Sequence, residues 1–355
     1  MNKGMLYFTQ KIEKVNCYLS SSKFFSNTRV KTKYYKYKKK SFIMILWHTL
    51  GTYFRNKHKK RVQKIPLDYG ASCPNRDGTL GKSGCIFCDN HGSGSGFWEK
   101  GLDLEAQWNF WKNKYEKTDS NRDFLAYFQS FSNTYGSIER LKELVFSVQK
   151  LSNNVGLAVG TRPDCIDETK LDVLANCSLP YVWIEYGLQS CHDKSLKTLQ
   201  RKHSVQQSEQ AIKLSAERGL KVCGHLMAGL PGESEEDFLE SLHWALSLPI
   251  NGLKIHNLFV PQNTIIANWY KKGVYTPLSM KTYVEILAKA LPIIPSHIVM
   301  HRLTGDPAPG QCLAPEWAKE KRPVFTALIH RLKELKAWQG SLADAKEARP
   351  SWYGS

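Results

Sequence analysis

Three cysteines on one glycine-rich stretch could hold a metal centre. Eleven residues separate Cys73 from Cys85, and two separate Cys85 from Cys88. Thiolates bind zinc or iron–sulfur clusters, and a Cys-x-x-Cys pair allows two of them to reach one centre. A structural zinc site needs four ligands, and the nearest further candidate is His91. Three thiolates on one loop favour a cluster with one open metal corner, with a structural zinc site or unrelated buried thiols as the alternatives.

The rest of the chain alternates between strand-like and helix-like patterns, which indicates how the cysteine loop is positioned. Apolar runs typical of buried strands occur at 62–67, 124–131, 155–160, 181–188, 222–228 and 253–260. Helical patterns lie at 104–117, 137–151, 168–175, 204–218 and 234–247, and Ser204 and Ser234 begin two of them with capping-box signatures. This alternation predicts an α/β fold in which a parallel sheet forms a partial (β/α)6 barrel. The cysteine loop follows the first strand, at the carboxyl edge where such barrels carry their chemistry.

Composition divides the chain into three predicted regions. Residues 1–43 carry +10 of the formal charge of +18 and have no sustained apolar period, so we expect a basic, disordered leader, with Met44 as an alternative start of the protein. Residues 44–265 hold the predicted barrel and its N-terminal segment. Residues 266–355 are predicted to form a small C-terminal α/β extension, with helices at 279–291 and 323–338 around a strand at 297–303.

The cysteines and the apolar runs bear on the compartment. The chain has nine cysteines, of which three share one loop and the others are scattered, a pattern unlike a secreted disulfide framework. No apolar run approaches the ~20 residues that a membrane helix needs. We therefore expect a cytoplasmic protein without a membrane partner.

Polar side chains stand at the ends of the predicted strands, where a catalytic barrel needs them. Gln129 and Ser130 follow the second strand, and Glu185 and Gln189 end the fourth. Lys254 lies on an otherwise apolar sixth strand, where burial is costly unless the ammonium has a partner or a ligand. The alternative for each of these residues is a purely structural role, as a loop cap or as a core group whose hydrogen bonds are made within the protein.

Two further segments carry candidate residues. Arg201 offers a guanidinium fork that suits a carboxylate, whereas a lone strand histidine such as His225 is more often a core residue. Arg162 and Asp164 follow the third strand and could form a structural ion pair.

The cysteine loop resembles that of the radical S-adenosylmethionine (SAM) enzymes, in which an aromatic residue, here Phe87, precedes the third cysteine. Most members have three residues between the first two cysteines. The longer spacing here is similar to that of the Elongator catalytic subunit and of a bacterial family of the YhcC and YtqA type. The resemblance implies a radical SAM barrel in which Cys73, Cys85 and Cys88 hold a [4Fe-4S] cluster and the open iron binds S-adenosyl-L-methionine.

The same resemblance suggests roles for the strand-end residues. Gln129 and Ser130 occupy the position at which related enzymes contact the SAM amino group. The segment from Glu185 to Gln189 is similar to a SAM-contacting pattern, and Arg201 stands where an arginine neutralises the SAM carboxylate. His225 and Lys254 match residues of the Elongator subunit, so the resemblance makes them the catalytic candidates.

Kinship with these families also implies a substrate. We expect tRNA, and specifically conversion of a carboxymethylaminomethyl group on the wobble uridine toward aminomethyl, with an electron donor such as a flavodoxin or ferredoxin. The alternatives are a radical SAM enzyme for a small metabolite such as a tetrapyrrole, and a non-catalytic, zinc-stapled RNA-binding module. The basic segment 55–61 precedes the first strand, and we expect it near the mouth of the site, where it would meet RNA phosphates.

Overall fold

Seven parallel strands form the central sheet. The computed structural model describes residues 45–89, 92, 94, 96–344 and 350–353. The sheet runs in the order β1-β2-β3-β4-β5-β6-β8, and every neighbouring pair is parallel. Its strands are β1 Arg61–Leu67, β2 Arg122–Phe128, β3 Asn154–Thr161, β4 Tyr181–Gln189, β5 Lys221–Ala228, β6 Gly252–Asn257 and β8 Val299–Arg302. A short antiparallel pair joins β7 Val260–Pro261 to β9 Cys312–Ala314.

The sheet curls into a half-barrel, and most of the helices cover its outer face. In chain order the helices are α1 Leu50–His58, α2 Leu104–Glu116, α3 Ile138–Gln149, α4 Glu168–Ala175, α5 Asp193–Thr198, α6 Val205–Glu217, α7 Glu235–Leu246, α8 Ile265–Lys271, α9 Met280–Ile293 and α10 Lys321–Glu334. The capping boxes predicted at Ser204 and Ser234 are both present. The predicted α/β partial barrel is therefore confirmed, and the strand predicted in the C-terminal extension joins the same sheet as β8.

Alternate residues of each strand build the outer core. Phe124, Ala126 and Phe128 point to the outer side of β2, where they join one apolar cluster with Leu144 and Val148 of α3. The period-two pattern leaves the other face of each strand for the barrel interior. That inner face carries the charged and polar side chains considered below.

Helix α1 was not predicted, and it closes the amino-terminal end of the barrel. Its Tyr53 and Phe54 are buried in one cluster with inner residues of five strands, including Leu125 and Trp183. The Tyr53 and Trp183 rings meet edge to face at 5.8 Å, and the Phe54 and Tyr181 rings do so at 5.2 Å. The sequence pattern missed the helix because its exposed side is basic and only three of its nine residues are buried.

The basic segment 55–61 lies at the wrong edge of the sheet for the role predicted from the sequence. Lys60 is 3.6 Å from Asp123, Arg61 is 3.2 Å from Asp119, and both acids stand at the start of β2. Strand β1 has seven residues, so the carboxyl edge is ~20 Å away at ~3.3 Å per residue. The expectation that this segment lies beside the cysteine loop is therefore wrong.

The predicted leader 1–43 and the zinc-ligand candidate His91 lie outside the described residues. Within the described part of the chain, no helix combines the length and the apolar character needed to cross a membrane.

The packing of α1 gives a stability prediction. Phe54 is fully buried, so Phe54→Ala should lower the free energy of unfolding by about 3–5 kcal/mol, through lost burial and a residual cavity. The measurement is urea denaturation followed by tryptophan fluorescence. Phe146 is 59% exposed on α3, so Phe146→Ala is the matched control and should change the value by less than about 0.5 kcal/mol. Equal effects of the two substitutions would show that α1 does not seal the barrel.

Candidate active site

The cysteine loop leaves the carboxyl end of β1 and is held by its own polar side chains. The backbone of Arg76 donates to the Cys73 carbonyl at 2.8 Å, and that of Cys88 donates to the Cys85 carbonyl at 3.0 Å. The Arg76 guanidinium donates to the Cys88 carbonyl at 2.8 Å, which ties the two halves of the loop together. The Asn75 amide donates to the Gln200 carbonyl at 2.5 Å and anchors the loop to the segment after β4.

The three thiols fit a centre larger than one metal ion. Among the described residues, two groups bring three possible ligand atoms within 4.8 Å of one another. They are Glu185, Cys223 and His301, and His192, Asp237 and Glu240. The three loop cysteines do not form such a group. Sulfurs on a single zinc would be about 3.8 Å apart, because each Zn–S bond is about 2.3 Å. A cluster places its cysteine ligands on different irons, so a wider separation of the three sulfurs suits it.

Burial disfavours the charged form of the loop thiols. Desolvation raises the pKa of Cys88 to about 12, and it raises the pKa of Cys73 as well. Thiolates at these positions therefore require a positive partner close by, which a metal cluster provides.

A cavity beside the cysteine loop collects most of the predicted site residues. Those that line it are Cys73, Cys85, Phe87, Cys88, Gln129, Glu185, Gln189, Arg201 and His225. Two predicted residues do not line it. Ser130 is 1% exposed, and its hydroxyl has no hydrogen-bond partner among the described residues, so its contact with SAM stays a prediction. Lys254 lies beneath the cavity, within the barrel.

Arg201 contacts the cysteine loop directly. Its Nη1 is 3.6 Å from the Cys85 sulfur, its Nη2 donates to the Gly187 carbonyl at 2.7 Å, and its Nε donates to His203 at 3.1 Å. Burial, followed by the charge of Arg201, lowers the pKa of His203 to about 2, so this ring is a neutral acceptor. The guanidinium is thus fixed at three points, and its position beside Cys85 stabilises negative charge on that sulfur.

The end of β4 has a backbone shape that brings Gln189 over the cavity. Gln189 has a φ of 71°, a left-handed conformation that is uncommon for a residue other than glycine. At Gly187, an added Cβ would lie 2.9 Å from the Gln189 amide nitrogen and 3.0 Å from the Arg201 guanidinium. Glycine at this position lets these two side chains pack closely over the strand.

Arg162 and Asp164 form the ion pair that the sequence left as an alternative. The guanidinium donates from Nε at 2.9 Å and from Nη2 at 2.6 Å to the two carboxylate oxygens. Because both carboxylate oxygens of Asp164 are engaged, the pair acts as a rigid part of the cavity wall.

Below the cavity, one buried carboxylate binds four nitrogen groups. Glu185 is fully buried; its Oε1 accepts from Lys64 at 2.7 Å and lies 3.1 Å from His301 Nδ1. Its Oε2 accepts from Lys254 in a short hydrogen bond and lies 3.1 Å from His225 Nε2. Residues of β1, β4, β5, β6 and β8 therefore meet at this carboxylate.

The charges of this network are set by burial and by mutual attraction. Although burial favours the neutral acid, the two lysines hold the pKa of Glu185 well below its usual range. Burial lowers the pKa of Lys254 to about 7, against the opposing effect of Glu185. Burial lowers the pKa of His225 to about 4 and that of His301 to about 3, so both rings are neutral at pH 7.

The predicted roles of Lys254 and Glu185 change with this geometry. Lys254 was expected to act on substrate, but its ammonium is 2% exposed and is bound to Glu185 and to the Tyr127 hydroxyl, the latter at 2.5 Å. Glu185 touches the cavity, yet both of its oxygens are already occupied. Tyr127 in turn donates to Gln129 at 2.6 Å, so the network positions a cavity residue through one intermediary.

Sequence reasoning missed Lys64, Tyr127 and His301 as members of this network. The sequence contained a signal for two of them. Lys64 lies two positions after Val62 and Tyr127 lies two positions before Gln129, so each shares a strand face with that neighbour. A polar residue in phase with the inner face of an apolar strand predicts an interior polar group.

The fold and the site define the class of enzyme, and comparison with known proteins agrees. Residues 73–245 match the radical SAM superfamily, and residues 250–334 match the Radical_SAM C-terminal domain. An archaeal Elp3 structure from Methanocaldococcus infernus superposes with a TM-score of 0.58 at 20% identity, over 69% of this chain and 62% of that one. The protein is a radical SAM enzyme that uses a [4Fe-4S] cluster and SAM, so the non-catalytic zinc module is excluded.

The family within this class follows from closer relatives. YtqA of Bacillus subtilis is 34% identical over 295 residues, which are 83% of this chain and 92% of YtqA. YhcC of Escherichia coli K12 is 31% identical over 81% of this chain and 93% of YhcC. A tRNA uridine(34) acetyltransferase from Dehalococcoides mccartyi is 32% identical over 48% of this chain, but only 37% of that enzyme is covered. The chain belongs to the family of YtqA and YhcC.

Removing the central carboxylate should be costly. Glu185→Gln leaves the buried Lys254 ammonium and the partly exposed Lys64 ammonium without their anion, so the free energy of unfolding should fall by about 3–5 kcal/mol at pH 7. Adding Lys254→Met should recover part of the loss, because it removes one of the stranded charges. The pKa of Glu185 is lower in the folded state than in the unfolded state, so its ionised form stabilises the fold at neutral pH. This stabilisation is lost as the pH falls below the unfolded value of about 4 and through the folded pKa.

Chemical denaturation between pH 2 and pH 8 measures these effects. Glu316→Gln is the control, because it removes an exposed carboxylate that pairs with Lys319, and it should leave stability nearly unchanged. If Glu185→Gln is as harmless as the control, the buried network does not hold the strands together.

Proposed function

We propose that this enzyme modifies tRNA, remodelling a carboxymethylaminomethyl group on the wobble uridine toward aminomethyl. The observation that carries the proposal is the occurrence of the three-cysteine cavity in a chain related to tRNA uridine(34) acetyltransferases. The relationship spans about half of this chain, so it supports the class of substrate, while the exact side chain is our own inference.

The residues around the cavity divide the work in this proposal. Cys73, Cys85 and Cys88 would hold the cluster, which supplies one-electron cleavage of SAM when it is bound. Arg201 stabilises the Cys85 thiolate, and Gln189 and Gln129 offer amide groups to the bound cofactor. Phe87 lies between the last two cysteines and provides an apolar wall that excludes water.

His225 is the side chain of the buried network that we place against the substrate. It lines the cavity and contacts Glu185 at 3.1 Å, so one nitrogen is fixed and the ring orientation is set. Its low pKa leaves it neutral, which lets it exchange hydrogen bonds with a substrate without introducing a charge. Lys254 becomes a positioning residue that acts through Glu185 and Tyr127.

An electron donor such as a flavodoxin or ferredoxin would reduce the cluster.

The nucleoside content of tRNA tests the proposed function. Deleting the gene should cause the carboxymethylaminomethyl form of the wobble nucleoside to accumulate and the aminomethyl form to fall, as measured by mass spectrometry of digested bulk tRNA. Wild type and Cys191→Ala should restore the profile, whereas Cys88→Ala should not, because Cys191 lies outside the cysteine loop. An unchanged nucleoside profile in the deletion strain would refute the tRNA assignment and favour a small-metabolite substrate.

A further inference from the structure

The cavity wall formed by β6 and β8 carries hydrogen-bonding groups that have no partner among the residues that the structure describes. Asn257 is 1% exposed, and its side-chain oxygen accepts from the Gly305 backbone at 2.7 Å. Its amide nitrogen is buried and unpaired, and so is the Nε2 of His256. Both residues line the cavity. A buried donor without a partner costs stability, so groups retained in this state point to a ligand.

A guanidinium faces the same space. Arg302 ends β8 and lines the cavity, with 25% of its side chain exposed. Among the described residues, the ion pair recorded for it is with Asp306 at 3.8 Å, a distance longer than a hydrogen bond. Asp306 has a closer cation in Lys321 at 2.6 Å. Most of the donor capacity of Arg302 is therefore unused by the part of the chain that the structure describes.

The local charge balance on this side of the interior is positive. Lys64 and Lys254 share the buried carboxylate of Glu185, and Arg302 and Lys321 share the carboxylate of Asp306, so four basic groups stand against two carboxylates. The positive charge of Arg302 contributes to lowering the pKa of both His256 and Lys254. An anion bound beside Arg302 would relieve this repulsion.

We propose that Arg302, Asn257 and His256 form a subsite for the carboxylate of the substrate side chain. Arg302 would bind the carboxylate through its planar fork, and the Asn257 amide would donate a further hydrogen bond. This inference rests on the proposed function, because a carboxymethylaminomethyl group carries a carboxylate that its aminomethyl product lacks. The subsite therefore distinguishes substrate from product by charge.

The position of these residues favours the substrate over SAM as the source of the anion. All three lie within residues 250–334, the part that matches the C-terminal domain, whereas the cysteines, Gln189 and Arg201 lie within residues 73–245. Arg201 already stands at the cysteine loop, at 3.6 Å from Cys85. A second guanidinium on the far strands of the sheet serves a different anion.

The test compares two anticodon stem-loop RNAs that differ in one charge. One carries the carboxymethylaminomethyl group, and the other carries its neutral carboxamide. Equilibrium binding to the SAM-loaded holoenzyme is measured for wild type, Arg302→Gln, Arg302→Lys and Asn257→Asp. Arg55→Gln is the control for loss of a positive charge, since Arg55 is exposed on α1 at the other edge of the sheet.

The wild type should prefer the acid to the carboxamide by about 10- to 100-fold, the range for a charge-assisted contact. Arg302→Gln should erase this preference, Arg302→Lys should keep part of it, and Asn257→Asp should reverse it by placing a like charge at the subsite. Asn257→Asp retains an oxygen for the Gly305 backbone, so the local fold is preserved. Arg55→Gln should keep the wild-type preference.

Three outcomes would overturn the inference. If Arg302→Gln weakens both RNAs equally, the anion is a backbone phosphate. If it weakens SAM binding itself by tenfold or more, the anion is the SAM carboxylate. If the wild type binds both RNAs equally well, no carboxylate subsite exists, although tRNA could still be the substrate. Failure of the wild type to bind either RNA would instead refute the proposed function, and the subsite assignment would fall with it.

Discussion

The buried carboxylate of Glu185 is the interaction on which the interior of this barrel depends. Removing an ion from water is expensive, and the cost is offset only when partners and hydrogen bonds satisfy it completely. Here Lys64, Lys254, His225 and His301 occupy both oxygens. These four partners come from four different strands, so one carboxylate joins the two ends of the sheet, β1 and β8, through the interior. The curvature of the half-barrel and the floor of the cavity follow from this contact.

The barrel interior is consequently layered along the strands. Aromatic and aliphatic side chains around Tyr53 and Trp183 fill the amino end, and the charged network of Glu185 lies above them. Above that network, Gly160 and Gly187 occupy the next inner positions. Because glycine has no side chain, these positions leave space for a ligand. The cysteine loop then covers the carboxyl end of the barrel. This order explains how a reactive site can be open at the top and closed to water from below.

Much of this arrangement could be predicted from the sequence. Apolar runs and capping boxes identified the sheet strands and the helices between them, because period two and period 3.6 are imposed by backbone geometry. The cysteine spacing indicated the class of cofactor that radical SAM enzymes use, and most of the strand-end polar residues do line one cavity. Residues whose importance comes from distant partners were harder to predict. Lys64 and His301 are 237 positions apart, yet their side chains lie 3.3 Å from each other.

The basic segment 55–61 shows a second limit of sequence reasoning. Proximity along the chain placed it beside the cysteine loop, but a strand runs between them and carries the two to opposite edges of the sheet.

For Lys254, the sequence predicted the need for a partner but not which residue the partner is. Its burial was correctly judged to require a partner, but the partner proved to be Glu185, so the lysine positions other groups and does not reach the cavity.

The central claim is that Cys73, Cys85 and Cys88 hold a [4Fe-4S] cluster whose open iron binds SAM. The most direct measurement is the electron paramagnetic resonance spectrum of anaerobically reconstituted, reduced protein before and after SAM is added. Wild type and Cys191→Ala should show a reduced-cluster signal that changes when SAM binds, and each single alanine variant of the three loop cysteines should lose that change. A cluster signal that SAM leaves unaltered, or one that survives replacement of all three cysteines, would contradict the account.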